Sequence, residues 1–201
     1  MAAKKTSAKG MDRRAVVAAL VKDRGDALVV TGLGSSTYDT FVVGDHDLNF
    51  YLWGGMGGAA MAGLGLALAQ PKRRVLVITG DGEMLMGIGS LATIAVAAPK
   101  NLAIAVIDNG HYGETGMQRA HTGLGVDITG MAKAAGIKSS TTLRSMNALK
   151  AWLKTWHHKS GPVFADIKVA AVPAPMRLPM RDGTAIKHRF RTALLGNAAF
   201  D

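Results

Sequence analysis

Two oxygen-bearing side chains, Asp81 and Asn109, stand 28 residues apart, each just after a short apolar run. Asp81 lies in Gly80-Asp81-Gly82 behind Val75-Leu76-Val77-Ile78-Thr79. Asn109 follows Leu102-Ala103-Ile104-Ala105-Val106-Ile107 and Asp108. Continuous apolar runs of this kind mark strands buried on both faces. As parallel neighbours, the two strands release both residues at one edge of the sheet, where open α/β sheets place ligands. A carboxylate, an amide oxygen and a backbone carbonyl are hard donors, too few to enclose Mg²⁺. They suit a Mg²⁺ that completes its octahedron with phosphate oxygens and water. The glycines beside Asp81 let a diphosphate approach the backbone, and the helix expected next offers free N–H groups. Taken alone, Gly-Asp-Gly also fits an ordinary turn with a capping aspartate.

The surrounding elements follow from periodicity. Arg13 to Asp23 carries Val16, Val17, Leu20 and Val21 at helical spacing, and Gly25 stops it. Ala27 to Thr31 is strand-like, and Gly32-Leu33-Gly34-Ser35-Ser36-Thr37 is a loop of small and hydroxyl residues. It reads either as a phosphate cradle or as a plain β-to-α turn. Phe50 to Trp53 leads into Gly54-Gly55-Met56-Gly57-Gly58 and an uncharged, small-residue helix from Ala59 to Gln70. Met84 to Pro99 is long enough for a helix of about four turns. Gly110 to Gln118 is a polar, glycine-rich loop of the kind on which functional residues gather. Arg119 and His121 follow it, placed either to meet an anionic substrate or to face solvent. A short helix from Ile128 to Ala135, an amphipathic one from Met146 to Trp156 and a strand from Val163 to Ile167 complete the pattern. The expected fold is α/β: a three-layer αβα sandwich around a mostly parallel sheet. The divisions are a basic N-terminal arm over 1–12, one domain over 13–172, and a basic C-terminal arm over 173–201.

Composition narrows the function classes. The formal charge of +10 is concentrated at the ends, with net +4 in residues 1–14 and +3 in 176–201. Basic ends on a nearly balanced middle argue for solubility or an acidic partner subunit, not for nucleic acid. The absence of cysteine excludes disulfides and thiolate metal sites and fits a reducing, cytoplasmic setting. Met1 to Gly10 lacks the apolar stretch of a secretory signal. Leu48 to Pro71 is uncharged, and Gly54/Gly58 has GxxxG spacing, so a membrane span has to be weighed. Six glycines between Phe50 and Ala69 argue against it. Small residues on every side suit a helix packed all round, including against another subunit.

The Gly80-Asp81-Gly82 turn with Asn109 at the end of the next strand resembles the thiamine diphosphate motif. The resemblance covers about residues 27–170 and implies that domain's diphosphate-binding (PP) half. It implies Mg²⁺ held by Asp81, Asn109 and the backbone oxygen of His111. Where the family often has Asn-Asn, this chain has Asp108-Asn109, which adds a carboxylate without an assigned role. Trp53-Gly54-Gly55-Met56-Gly57-Gly58 is similar to the segment that grips the aminopyrimidine ring. By that likeness the Gly54 carbonyl accepts from the exocyclic amine and the Met56 N–H donates to a ring nitrogen. The Met56 side chain would prop the cofactor into its bent form. The implied cofactor contacts are Gly34, Ser35, Ser36, Gly54, Met56, Gly80, Asp81, Gly82, Glu83, Asn109, His111, Tyr112 and Gly113.

Within that superfamily, residues 80–93 and 108–118 are similar to phosphonopyruvate and sulfopyruvate decarboxylases, in the second of which this domain is a separate β subunit. The resemblance implies decarboxylation of a small anionic 2-oxo acid, with Arg119 and His121 as substrate candidates. Carboligation by another split enzyme and a non-catalytic cofactor-binding subunit stay open. Thiamine enzymes ionise the cofactor with a glutamate from a second domain, and this chain has only Glu83 and Glu114. Both follow the diphosphate-end motifs, so the glutamate is expected on a separate pyrimidine-binding (PYR) α subunit in an α₂β₂ or larger assembly.

Overall fold

The computed structural model describes residues 10–158 and 160–200. Asp12 caps the first helix, α1 (Arg13–Val21), by accepting from the Ala15 N–H. Strand β1 (Leu28–Thr31), helix α2 (Ser35–Val43) and strand β2 (Asn49–Tyr51) follow, then helix α3 (Ala59–Ala69) and strand β3 (Val75–Gly80). Next come helices α4 (Asp81–Met86) and α5 (Ser90–Ala97), strand β4 (Leu102–Asp108) and a two-residue hairpin pair, β5 (His111–Tyr112) and β6 (Gln118–Arg119). The chain continues through α6 (Ile128–Ala134), β7 (Ser139–Leu143), α7 (Met146–His158), β8 (Val163–Lys168) and α8 (Gly183–Leu195).

Six strands form one parallel sheet in the order β2-β1-β3-β4-β8-β7. Its central strands are buried on both faces, so their side chains divide by alternation. Val75, Val77, Ile104 and Val106 turn to the face covered by α3, α5, α6 and α8. Leu76, Ile78, Ala103 and Ala105 turn to the face covered by α1 and α7. The result is the expected three-layer sandwich. From β1 the chain moves outward to β2 and then returns to β3 on the opposite side. The β1/β3 boundary is therefore a topological switch point, where the strand ends leave a crevice.

Several elements differ from expectation. The helix expected over Met84–Pro99 is broken into α4 and α5 at Gly87-Ile88-Gly89, because Gly87 is pressed against the backbone of Gly57. A Cβ on Gly87 would overlap the Gly57 carbonyl. Strand β7, Ser-Ser-Thr-Thr-Leu, has no apolar run, since it lies at the sheet edge with three of its five residues partly exposed. Residues 171–182 are irregular, but α8 replaces the C-terminal part of the expected arm. Asp182 caps it, and its Ile186 and Phe190 are buried. Phe190 meets Phe50 edge-on at 5.6 Å, and Arg189 pairs with Asp45 at 2.7 Å. Residues 1–9 of the expected N-terminal arm lie outside the described residues. Among the described residues, no helix is long and apolar enough to cross a membrane.

If α8 is integral to the domain, Phe190→Ala removes a buried ring and lowers unfolding free energy by about 3–5 kcal/mol. Urea denaturation measures it, and a loss under about 1 kcal/mol would show that α8 contributes little to the core.

Candidate cofactor site

Three strand ends build the site. The turn after β1, the Gly80-Asp81-Gly82 turn after β3 and the Asp108–His111 segment after β4 open on one cleft. It is lined by Ser35, Ser36, Met56, Gly80, Asp81, Gly82, Glu83, Asn109, His111 and Tyr112, with Arg13, Leu33 and Ile107. The fold thus brings ten of the sequence-derived candidates together. Gly113 lines the adjoining cavity with Ser35, Tyr38 and Asn109. Gly34 is the N-cap of α2 and lies under Glu114 instead. Gly54, exposed at φ 76°, precedes Met56 outside the cleft lining. Arg119 and His121 are exposed and are not brought into the cleft; Arg119 pairs in register with His111 on the hairpin.

The electrostatics centre on two carboxylates. Asp81 and Asp108 are both buried, and both approach the hydroxyl of Thr122, at 2.6 and 3.0 Å. One hydroxyl hydrogen can serve only one of them. Asp108 has further partners, the Gly110 N–H at 2.8 Å and the Lys168 ammonium, which also meets Asp166 at 2.9 Å. Asp81 has no cationic side chain among the described residues. Burial, and then the charge of Asp108, push its carboxyl up to about 6. Burial likewise lifts Asp166 to about 7, although Lys168 opposes the rise. Asp108, whose role the sequence left unassigned, therefore anchors the Asn109-Gly110 turn and holds Lys168. Thr122 escaped sequence reasoning because nothing local marks it; only the fold carries it 41 residues back to Asp81.

This donor set fits a divalent cation that shares its shell with phosphate. Asp81 is an under-compensated carboxylate, and Asn109 contributes an amide oxygen that already accepts from the His111 N–H at 2.9 Å. Among the described residues, no cluster of three or more His, Cys, Asp or Glu could hold a metal alone. Oxygen ligands from elsewhere are needed.

The glycine loop is tied to the strand ends from below. Glu83 is buried; it accepts from the Thr79 hydroxyl and faces the Ala59 N–H at the start of α3, at 3.4 Å. Burial raises its carboxyl above the usual range. Tyr112 lies so close over Gly82 that any side chain there would overlap its ring. The phenol of Tyr38 is raised to about 12 by burial and then by the neighbouring Glu114 carboxylate.

The family comparison agrees with this geometry. Residues 34–167 match the model of the thiamine pyrophosphate enzymes' C-terminal TPP-binding domain. The chain belongs to that family. It is 40% identical over 128 residues to the sulfopyruvate decarboxylase subunit beta of Methanocaldococcus jannaschii, covering 63% of this chain and 68% of the relative. Against the phosphonopyruvate decarboxylase of Streptomyces viridochromogenes it is 40% identical over 144 residues, 72% of this chain but 36% of the relative. A solved thiamin diphosphate-dependent enzyme from Mycobacterium smegmatis superposes with TM-score 0.70 and 27% identity, over 82% of this chain and 33% of that one. The chain therefore spans about a third of the length of the last two.

The contact between Gly57 and Gly87 should set the position of Met56. Gly87→Ala is expected to cost about 1–3 kcal/mol of stability by overpacking and to weaken thiamine diphosphate binding through displacement of the loop. Calorimetric titration and thermal unfolding of the variant check both; a variant equal to wild type in both would show that the loop is not held there.

Proposed function

We propose that this chain is the β subunit of a heteromeric thiamine diphosphate-dependent decarboxylase acting on a small anionic 2-oxo acid of the sulfopyruvate or phosphonopyruvate class. The observation that carries the proposal is the single cleft in which an under-compensated Asp81 meets Asn109, Ser35 and Met56. In this reading Asp81, Asn109 and the His111 carbonyl hold Mg²⁺, which neutralises the diphosphate. The Gly80–Gly82 turn lets that group approach, and Met56 supports the ring end. Thiamine diphosphate, when bound, supplies the electron sink that allows a 2-oxo acid to lose CO₂.

The chain's own residues do not complete the chemistry. Glu83 is committed to Thr79 and the α3 N-terminus, and Glu114 lies beside Tyr38 and Gly34 at the start of α2. Neither is free to reach a pyrimidine ring beside Met56. The base is therefore assigned to a partner subunit, as the name of the Methanocaldococcus relative supports. Apolar side chains are exposed on the covering helices, with Met61 and Leu68 on α3 exposed by 42% and 57% and Val96 on α5 by 89%. Such a surface suits burial against another chain.

In the assembled complex, Asp81→Ala should abolish Mg²⁺-dependent retention of thiamine diphosphate, measured by calorimetry. Undiminished binding would falsify the metal assignment. CO₂ release from sulfopyruvate, phosphonopyruvate and pyruvate tests the reaction: the complex should decarboxylate at least one, and the isolated chain none. Full turnover by the isolated chain would remove the split-subunit reading, and aldehyde ligation without CO₂ release would replace decarboxylation with carboligation.

A further inference from the structure

Asp39 sits in the middle of α2 with its side chain fully buried. A carboxylate there is costly unless it is paired. Two arginines pair with it. Arg13 donates through Nε to Oδ2 and through Nη2 to Oδ1 at 3.4 Å, and Arg14 donates through Nε to Oδ1 at 3.0 Å. Two guanidiniums on one carboxylate leave a net charge of +1, since arginine stays protonated.

The two arginines spend their remaining donors differently. Arg14 turns an Nη group to the Pro175 carbonyl, holding the segment that follows β8. Arg13 has no acceptor for Nη1 among the described residues. Both arginines line the adjoining cavity with Asn109, but only Arg13 also lines the cleft that contains Asp81. Arg13 shares the lining of that cleft with Ser35 and Ser36, the first two residues of α2. The N-cap of that helix, Gly34, offers no side chain, so the first N–H groups are left for another acceptor. A fixed guanidinium, a helix N-terminus and a cation-seeking carboxylate converge on one small volume.

We infer that Arg13 binds the terminal phosphate of the cofactor, with Asp39 as the buried counter-charge that fixes its direction. This rests on the thiamine diphosphate reading above. The planar fork matches phosphate oxygens, and the pairing of Nε and Nη2 with Asp39 fixes it at the cleft wall. The Arg13–Asp39–Arg14 cluster thereby links the first helix to cofactor affinity, although α1 carries none of the recognised motif.

The test compares thiamine diphosphate with thiamine monophosphate by calorimetry in the Mg²⁺-loaded complex with the partner subunit. Arg13→Met should reduce affinity for the diphosphate about tenfold or more, the weight of a charge-assisted hydrogen bond. It should change monophosphate affinity little, so the preference between the two ligands shrinks. Arg14→Met removes an equivalent ion pair from Asp39 and should leave the preference within about twofold, because its loss breaks no phosphate contact. Arg13→Lys, which retains the charge, should fall between Arg13→Met and wild type and serves if Arg13→Met does not fold. An unchanged preference in the Arg13 variants, or equal losses in the Arg13 and Arg14 variants, overturns the inference. Wild-type complex that binds neither ligand overturns the cofactor reading itself, a result distinct from either of these.

Discussion

The site depends on a shortage of positive charge at the ends of β3 and β4. Parallel pairing brings Asp81 and Asp108 to the same edge, and burial removes the water that would otherwise screen them. Thr122 offers both carboxylates one hydrogen, and Lys168 serves only Asp108. Asp81 is left short. Such a group either takes up a proton or receives a cation, and its carboxyl raised to about 6 is the signature of that choice. Sheet topology, turn glycines and the Asn109 turn all act to keep this carboxylate buried and aimed into the cleft. The proposed Mg²⁺ resolves the imbalance and in the same step binds the diphosphate.

A second constraint is backbone proximity. Gly57 and Gly87 touch with no room for a side chain, and Glu83 reaches from α4 to the first turn of α3. The glycine loop carrying Met56 is thus fixed to the same turn that carries Asp81. Two ends of one ligand can be held at a set separation only if the segments that hold them are coupled. Here the coupling is made by Glu83 and Gly87, which follow the aspartate by two and six positions. It also accounts for the break between α4 and α5, which brings Gly87 to the loop instead of continuing a straight helix.

The buried strands were legible because their side chains must be apolar on both faces, as in Leu102–Ile107. Asp81, Asn109 and the Gly-Asp-Gly turn were legible because their spacing encodes two adjacent strands. Strand β7 was not, since an edge strand can be built from serine and threonine. Helix α8 resembles an arm in sequence because its apolar face is narrow, with Ile186 and Phe190 its buried residues, among basic ones. Long-range partners left no local trace: Thr122 meets Asp81 across 41 positions, and Arg13 meets Asp39 across 26. Arg119 and His121 illustrate the converse. Their place in sequence after the Asn109 loop left substrate contact and solvent exposure both open, and Arg119 on β6 and His121 just beyond it are exposed.

Replacing Mg²⁺ by Mn²⁺ in the complex with thiamine diphosphate gives the most direct test of the charge argument. Electron–nuclear double resonance would read ³¹P coupling to the bound manganese. The account predicts strong coupling in the wild type and its loss in Asp81→Ala, because the carboxylate holds the metal that holds the phosphate. Manganese bound in the cleft with no ³¹P coupling, or coupling that survives the loss of Asp81, would contradict it.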